Sequence, residues 1–168
     1  MAAFTQIEID ALIRCPKKVV EAPRRTMRQE GAYLRNAAKL AAVNEVEGDF
    51  LIFLRENEDF PENFSIGLIY SPRDGRDAIT LLRCNGKHGD YNKSFDPEHP
   101  HCDFHIHRAT ERAIEAGYAA EKFADKTMEF ASFEEALQVF VKMINLNSDD
   151  ARKYFPANTQ FSLEFYRG

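Results

Sequence analysis

The chain has 168 residues, 44% of them hydrophobic and 29% charged, with a formal net charge of -5. That composition excludes a disordered chain, and a domain of this length buries roughly 70% of its unfolded surface, enough to dispense with disulfides or a structural metal. No apolar run approaches the roughly 20 residues of a membrane helix, and the stretch from Met1 to Glu8 has neither a basic nor an apolar leader, so one cytoplasmic, bacterial-type domain over residues 1–168 is expected.

Thr5 and Glu8 form a capping box, with Phe4 and Ile9 at staple positions, which predicts a short helix that Pro16 ends. Residues 14–39 then hold eight basic side chains against two acidic ones, a net of +6, while residues 40–168 stand at -9. Residues 1–45 therefore read as a helical, basic segment, with a second helix where alanines gather over residues 33–43. Such a segment can neutralise nucleic-acid phosphates, meet an acidic protein, or fold against its own acidic body.

Strand signals follow over residues 49–108, which read as a β-meander. Residues 49–55 are apolar on both faces until Arg55, as in a central strand, and residues 64–70 alternate, with Phe64, Ile66, Leu68 and Tyr70 on one side. Pro72, Asp74 and Gly75 supply turn chemistry, so this strand forms a hairpin with residues 78–84. A long loop, residues 85–100, leads to a fourth strand over residues 101–108. Residues 110–116 read as a helix stopped by Gly117 or as an extension of the strand, and a helix is expected over residues 132–147, where Ser132 and Glu135 form a second capping box ahead of an apolar stripe. Phe161, Leu163 and Phe165 alternate as an added edge strand. The expected fold is α+β: a single domain with a mainly antiparallel sheet of 4–5 strands and helices packed on one face. Cys15, Cys84 and Cys102 are odd in number and far apart, which reads as buried thiols.

All five histidines, His88, His99, His101, His105 and His107, fall within twenty residues. Strand alternation puts His101, Asp103, His105 and His107 on one face and Cys102, Phe104 and Ile106 on the other, so the apolar set takes the core. Arg83 falls on the neighbouring strand if the hairpin order holds, with Lys87 and His88 at the start of the loop.

Three readings follow. The cluster is a polar structural face; or it binds a divalent transition metal through His105, His107, His101 and Asp103, with His88 or Glu111 as further donors. Alternatively it performs acid–base catalysis on a phosphodiester, with His105, His107, His88 and Arg83 as the catalytic set and Lys87 or Arg108 as further cations. Phosphate-loop, dinucleotide, nucleophile-elbow and His-Glu-x-x-His motifs are all absent, which argues against nucleotide hydrolases, common dehydrogenases, α/β-hydrolases and zincins.

Residues 62–68, the Leu81-Leu82-Arg83 run, and residues 104–111 around His105-x-His107 resemble a family of small bacterial proteins catalogued as a domain of unknown function. The matching positions are His88, Asn92, His105 and His107, and the resemblance spans roughly residues 49–146. It implies a Leu-Leu-Arg strand, a His-x-His strand and a late helix, but no activity. It also implies an association with mobile elements or toxin–antitoxin modules. Two functional expectations result. One is a small phosphodiesterase, a toxin-type ribonuclease with RNA as substrate and an antitoxin-like protein as partner. The other is a non-enzymatic protein that binds nucleic acid or a protein through its basic segment, or a metal-binding protein.

Overall fold

The computed structural model describes residues 2–88 and 103–157. Helix α1 (Gln6–Arg14) begins as its capping box dictates, the Thr5 hydroxyl accepting from the Glu8 amide at 3.2 Å, and Pro16 follows its end. Strands β1 (Lys17–Glu21), β2 (Arg28–Glu30), β3 (Tyr33–Ala42), β4 (Gly48–Asn57), β5 (Phe64–Pro72) and β6 (Ile79–Asn85) come next. After them are β7 (His105–Arg108), α2 (Glu111–Glu115), β8 (Ala124–Lys126), α3 (Phe133–Met143) and α4 (Ser148–Tyr154). Among the described residues these strands form one eight-stranded sheet in the order β1-β3-β4-β5-β6-β7-β8, with β2 beside β1 on the outer edge of β3. Every pairing is antiparallel.

The expected sheet of 4–5 strands is therefore corrected to eight, within the α+β class. The gain comes mostly from the basic segment: residues 33–43, expected to be helical, lie almost wholly in β3. The alanines and lysine there favour helix intrinsically, but Leu34, Asn36, Ala38 and Leu40 are buried while Arg35, Ala37 and Lys39 are exposed. A period of two, set by burial against the helices, overrides weak propensity. Strand β8 adds three residues that carry no apolar alternation of their own.

Helices α1 and α3 cover one face. Helix α1 packs against β6, and α3 packs against β5 and β6. Their apolar stripes close on Phe50, Ile52, Leu54, Phe64, Ile66, Leu68, Leu82 and Cys84 in one continuous core. Ser132 caps α3 as its sequence predicts, its hydroxyl accepting from the Glu135 amide, while the Glu135 carboxylate accepts from the Ala131 amide, one residue before the cap. Gly117 ends the α2 segment with φ of 77°, a left-handed conformation that glycine adopts without strain. Among the described residues no helix is long and apolar enough to cross a membrane. The expected strand at residues 161–165, Cys102, and most of the 85–100 loop lie outside the described residues.

One buried cation ties the fold's ends together. Lys17 has no exposed surface; its Nζ donates to the carbonyls of Ile13 and Cys15 at 2.8 Å and of Ile144 at 2.9 Å, and sits 4.9 Å from the Phe50 ring centre. Carbonyls left over where α1 and α3 end are thus satisfied by a single side chain.

Candidate active site

Cross-strand partners share a sheet face, so the antiparallel register fixes what lies opposite the helices. Asn85 pairs with His105 and Arg83 pairs with His107, the neighbourhood expected from sequence. Continuing across the sheet, one row runs Arg28, Arg35, Arg55, Ser65, Asn85, His105, Lys126. The next row runs Ala37, Phe53, Gly67, Arg83, His107, Ala124. Three arginines on adjacent strands therefore lead along one face to a buried serine, an asparagine and the histidines.

The imidazoles are held firmly. His105 and His107 are only 3% and 4% exposed, so these rings are buried instead of lying on the open face of a half-exposed strand. His105 Nδ1 lies 2.7 Å from the Asp103 carbonyl and His107 Nδ1 lies 2.8 Å from the Glu121 carbonyl. A carbonyl oxygen only accepts, so both rings must donate from Nδ1. In its neutral form each ring then carries its lone pair on Nε2, the nitrogen that accepts a proton or binds a metal. Ring centres are 5.0 Å apart between His105 and His107 and 5.1 Å between His88 and His105, so His105 has both other imidazoles beside it.

Arg83 brings charge to that row. Its Nε is buried, has no hydrogen-bond partner, and lies 3.9 Å from a carboxylate oxygen of Glu121. Burial lowers its affinity for a proton, Glu121 offsets this in part, and the nearby Arg55 adds to the lowering. Arg55 Nε is likewise buried without a hydrogen-bond partner, its guanidinium 4.9 Å from the Tyr33 ring centre. Two guanidiniums with unmet donors on one face suit an anion with several oxygens. Between them the Ser65 hydroxyl donates to Asn85 Oδ1 at 2.7 Å.

Other sequence candidates go elsewhere. The Asp103 carboxylate pairs with Lys126 at 3.1 Å, and the Glu111 carboxylate accepts from the Gln6 amide at 3.0 Å. Lys87 Nζ lies 5.2 Å from the Phe104 ring centre. His99 and His101 lie outside the described residues. Among the described residues no group of three or more His, Cys, Asp or Glu side chains is placed to hold a metal ion, so a site built from His105, His107, His101 and Asp103 rests on His101. Cys15 and Cys84 are buried thiols, and burial pushes Cys84 up to about 12. The basic segment is part of the sheet: Lys17 is buried, Arg35 pairs with Glu30 at 3.1 Å and Lys39 with Glu21 at 3.1 Å.

Arg55, Ser65, Asn85 and Glu121 belong to this face and have no motif in the sequence. Their only signal is register: continuing the Arg83–His107 pairing by two residues reaches Asn85, and from there Ser65 and Arg55. Comparison with known proteins finds no matching family model, no matching curated protein and no matching solved structure.

Proposed function

We propose that this chain cleaves phosphodiesters in single-stranded RNA by acid–base catalysis at His105 and His107. The observation that carries the reading is the pairing of Arg83 with His107 across β6 and β7, beside a second imidazole whose tautomer is fixed by a carbonyl. One neutral ring takes the 2′-hydroxyl proton through Nε2, the freed oxygen attacks phosphorus, and the bond to the 5′-oxygen breaks. A second ring, protonated at Nε2, gives its proton to that departing oxygen, leaving a 2′,3′-cyclic phosphate. Arg83 neutralises charge that develops on the non-bridging oxygens, and Arg55, Arg35 and Arg28 hold the adjoining backbone. His88, next to His105, is the third candidate for proton transfer. Given the resemblance of the His-x-His segment, we extend the proposal to a toxin-type ribonuclease held inactive by an antitoxin-like protein.

The test is cleavage of single-stranded RNA and of 2′,3′-cyclic nucleotides, with and without chelator and divalent metal. Turnover in chelator that disappears in the His105→Ala, His107→Ala double variant supports the reading. No cleavage above that variant under any condition overturns it.

A further inference from the structure

On the other face of the sheet, a cleft of about 450 Å³ opens between the β4–β5 connection and the start of α3. That volume is in the range of small-molecule sites. Leu34, Pro61 and Phe133 give it an apolar wall, and Glu56, Glu62 and Glu134 line the rest; no basic residue does.

Glu56 makes this more than an acidic surface. It stands in β4 on the helix-covered face, with Leu34 and Phe64 as its ladder neighbours, and is only 3% exposed. Its Oε2 is buried with no hydrogen-bond partner. A buried carboxylate oxygen without a partner is costly, and in a native fold it calls for an explanation. Glu134, on α3, adds a like charge and offers no relief. A metal ion does not fit, because among the described residues no three such side chains are placed to hold one. What fits is a cation too large to need convergent ligands, carrying its own apolar surface.

We infer that this cleft binds an organic cation, a guanidinium or ammonium on an aliphatic stem, with the charged head on Glu56 and Glu134 and the stem against Leu34 and Phe133. Binding competes with a proton. Burial and Glu134 push the Glu56 carboxyl up to about 7, so ligand entry expels that proton and affinity rises with pH. The charged groups around Glu56 are Glu134 from α3 and Glu58 and Glu62 from the β4–β5 connection, all acidic; its β3 and β5 neighbours are apolar. Glu58 is exposed, its carboxylate accepting from Gln29 Nε2 at 2.8 Å. The inference is independent of the histidine face.

The full chain is titrated by calorimetry at about pH 8 with agmatine and, separately, with a blocked Gly-Arg-Gly peptide. Saturable one-to-one binding of either is expected, weakened at least about tenfold in Glu56→Gln and in Glu134→Gln, and weaker again at about pH 6. Buffers of different ionisation enthalpy should show proton release on binding near neutrality. Agmatine binding without peptide binding identifies a free small-molecule cation as the ligand type; binding of the peptide identifies a site that also admits an arginine side chain of a partner. Glu56→Gln keeps the shape and removes a buried charge, and a thermal melt confirms that it folds. Absence of binding by both probes, equal binding by both variants, or stoichiometric displacement by magnesium or zinc overturns the inference.

Discussion

Arg83 faces His107 directly across the β6–β7 ladder, so a guanidinium and a carbonyl-oriented imidazole project side by side from one face of the sheet. A fixed cation beside a proton-transfer group sets the first expectation. The rate of RNA cleavage should trace a bell in pH, since a neutral base and a protonated acid must coexist. His105→Ala and His107→Ala should each lower kcat about a hundredfold or more. Arg83→Met should lower kcat/KM at least tenfold; an unchanged kcat/KM would remove Arg83 from charge stabilisation.

The arginine row makes a separate prediction about binding. Replacing Arg28 and Arg35 by Ala should weaken RNA binding and reduce the slope of log affinity against log salt by roughly 0.7 for each phosphate left unneutralised. Measured on the His105→Ala, His107→Ala background, where cleavage is absent, the effect should persist. An unchanged salt slope would remove these side chains from the RNA path.

Glu56 governs a pH dependence of stability. Its folded pKa, about 7, is raised above the ordinary 4.5, so the folded state holds that proton more tightly. The resulting stability is fully present below about pH 4.5 and is lost as pH rises through about 7. Unfolding free energies from urea titration should show the wild type matching Glu56→Gln at pH 4.5 and falling below it by up to about 3 kcal/mol at pH 8.

Lys17→Met keeps the volume and removes the three donors that bind the carbonyls of Ile13, Cys15 and Ile144. A loss of about 2–3 kcal/mol is expected, because those buried oxygens lose their partners. Denaturant unfolding that shows no loss would mean water replaces the amine.

Gly67 lies between Phe53 and Arg83 in the ladder, and a Cβ there would come 2.2 Å from the Phe53 ring and 3.1 Å from Arg83 Cγ. Gly67→Ala should therefore cost about 1–3 kcal/mol and lower the cleavage rate by moving Arg83, although it removes no reacting group. An unaltered rate would show that the Arg83 position is not critical.

Where local chemistry dictates structure, the sequence is readable. Thr5 and Ser132 cap the helices expected after them, and the β5–β6 hairpin follows its turn residues. Strand β3 is not readable because Ala and Lys carry helical propensity while its burial pattern comes from partners far along the chain. The Arg83–His107 neighbourhood follows from hairpin order alone. Glu56 gives no signal because a lone glutamate at a strand's end has no pattern; only its burial makes it unusual.

The Lys17 amine reaches a carbonyl 127 residues further along the chain, at Ile144. During synthesis the first twenty residues leave the ribosome long before that acceptor exists. Until then the α1 end has a charged amine without its full set of acceptors, and β1 has no β3 to join until residue 42 has emerged. The amino-terminal segment can therefore pair with β3 early, but the last of the Lys17 hydrogen bonds forms only once α3 has been completed.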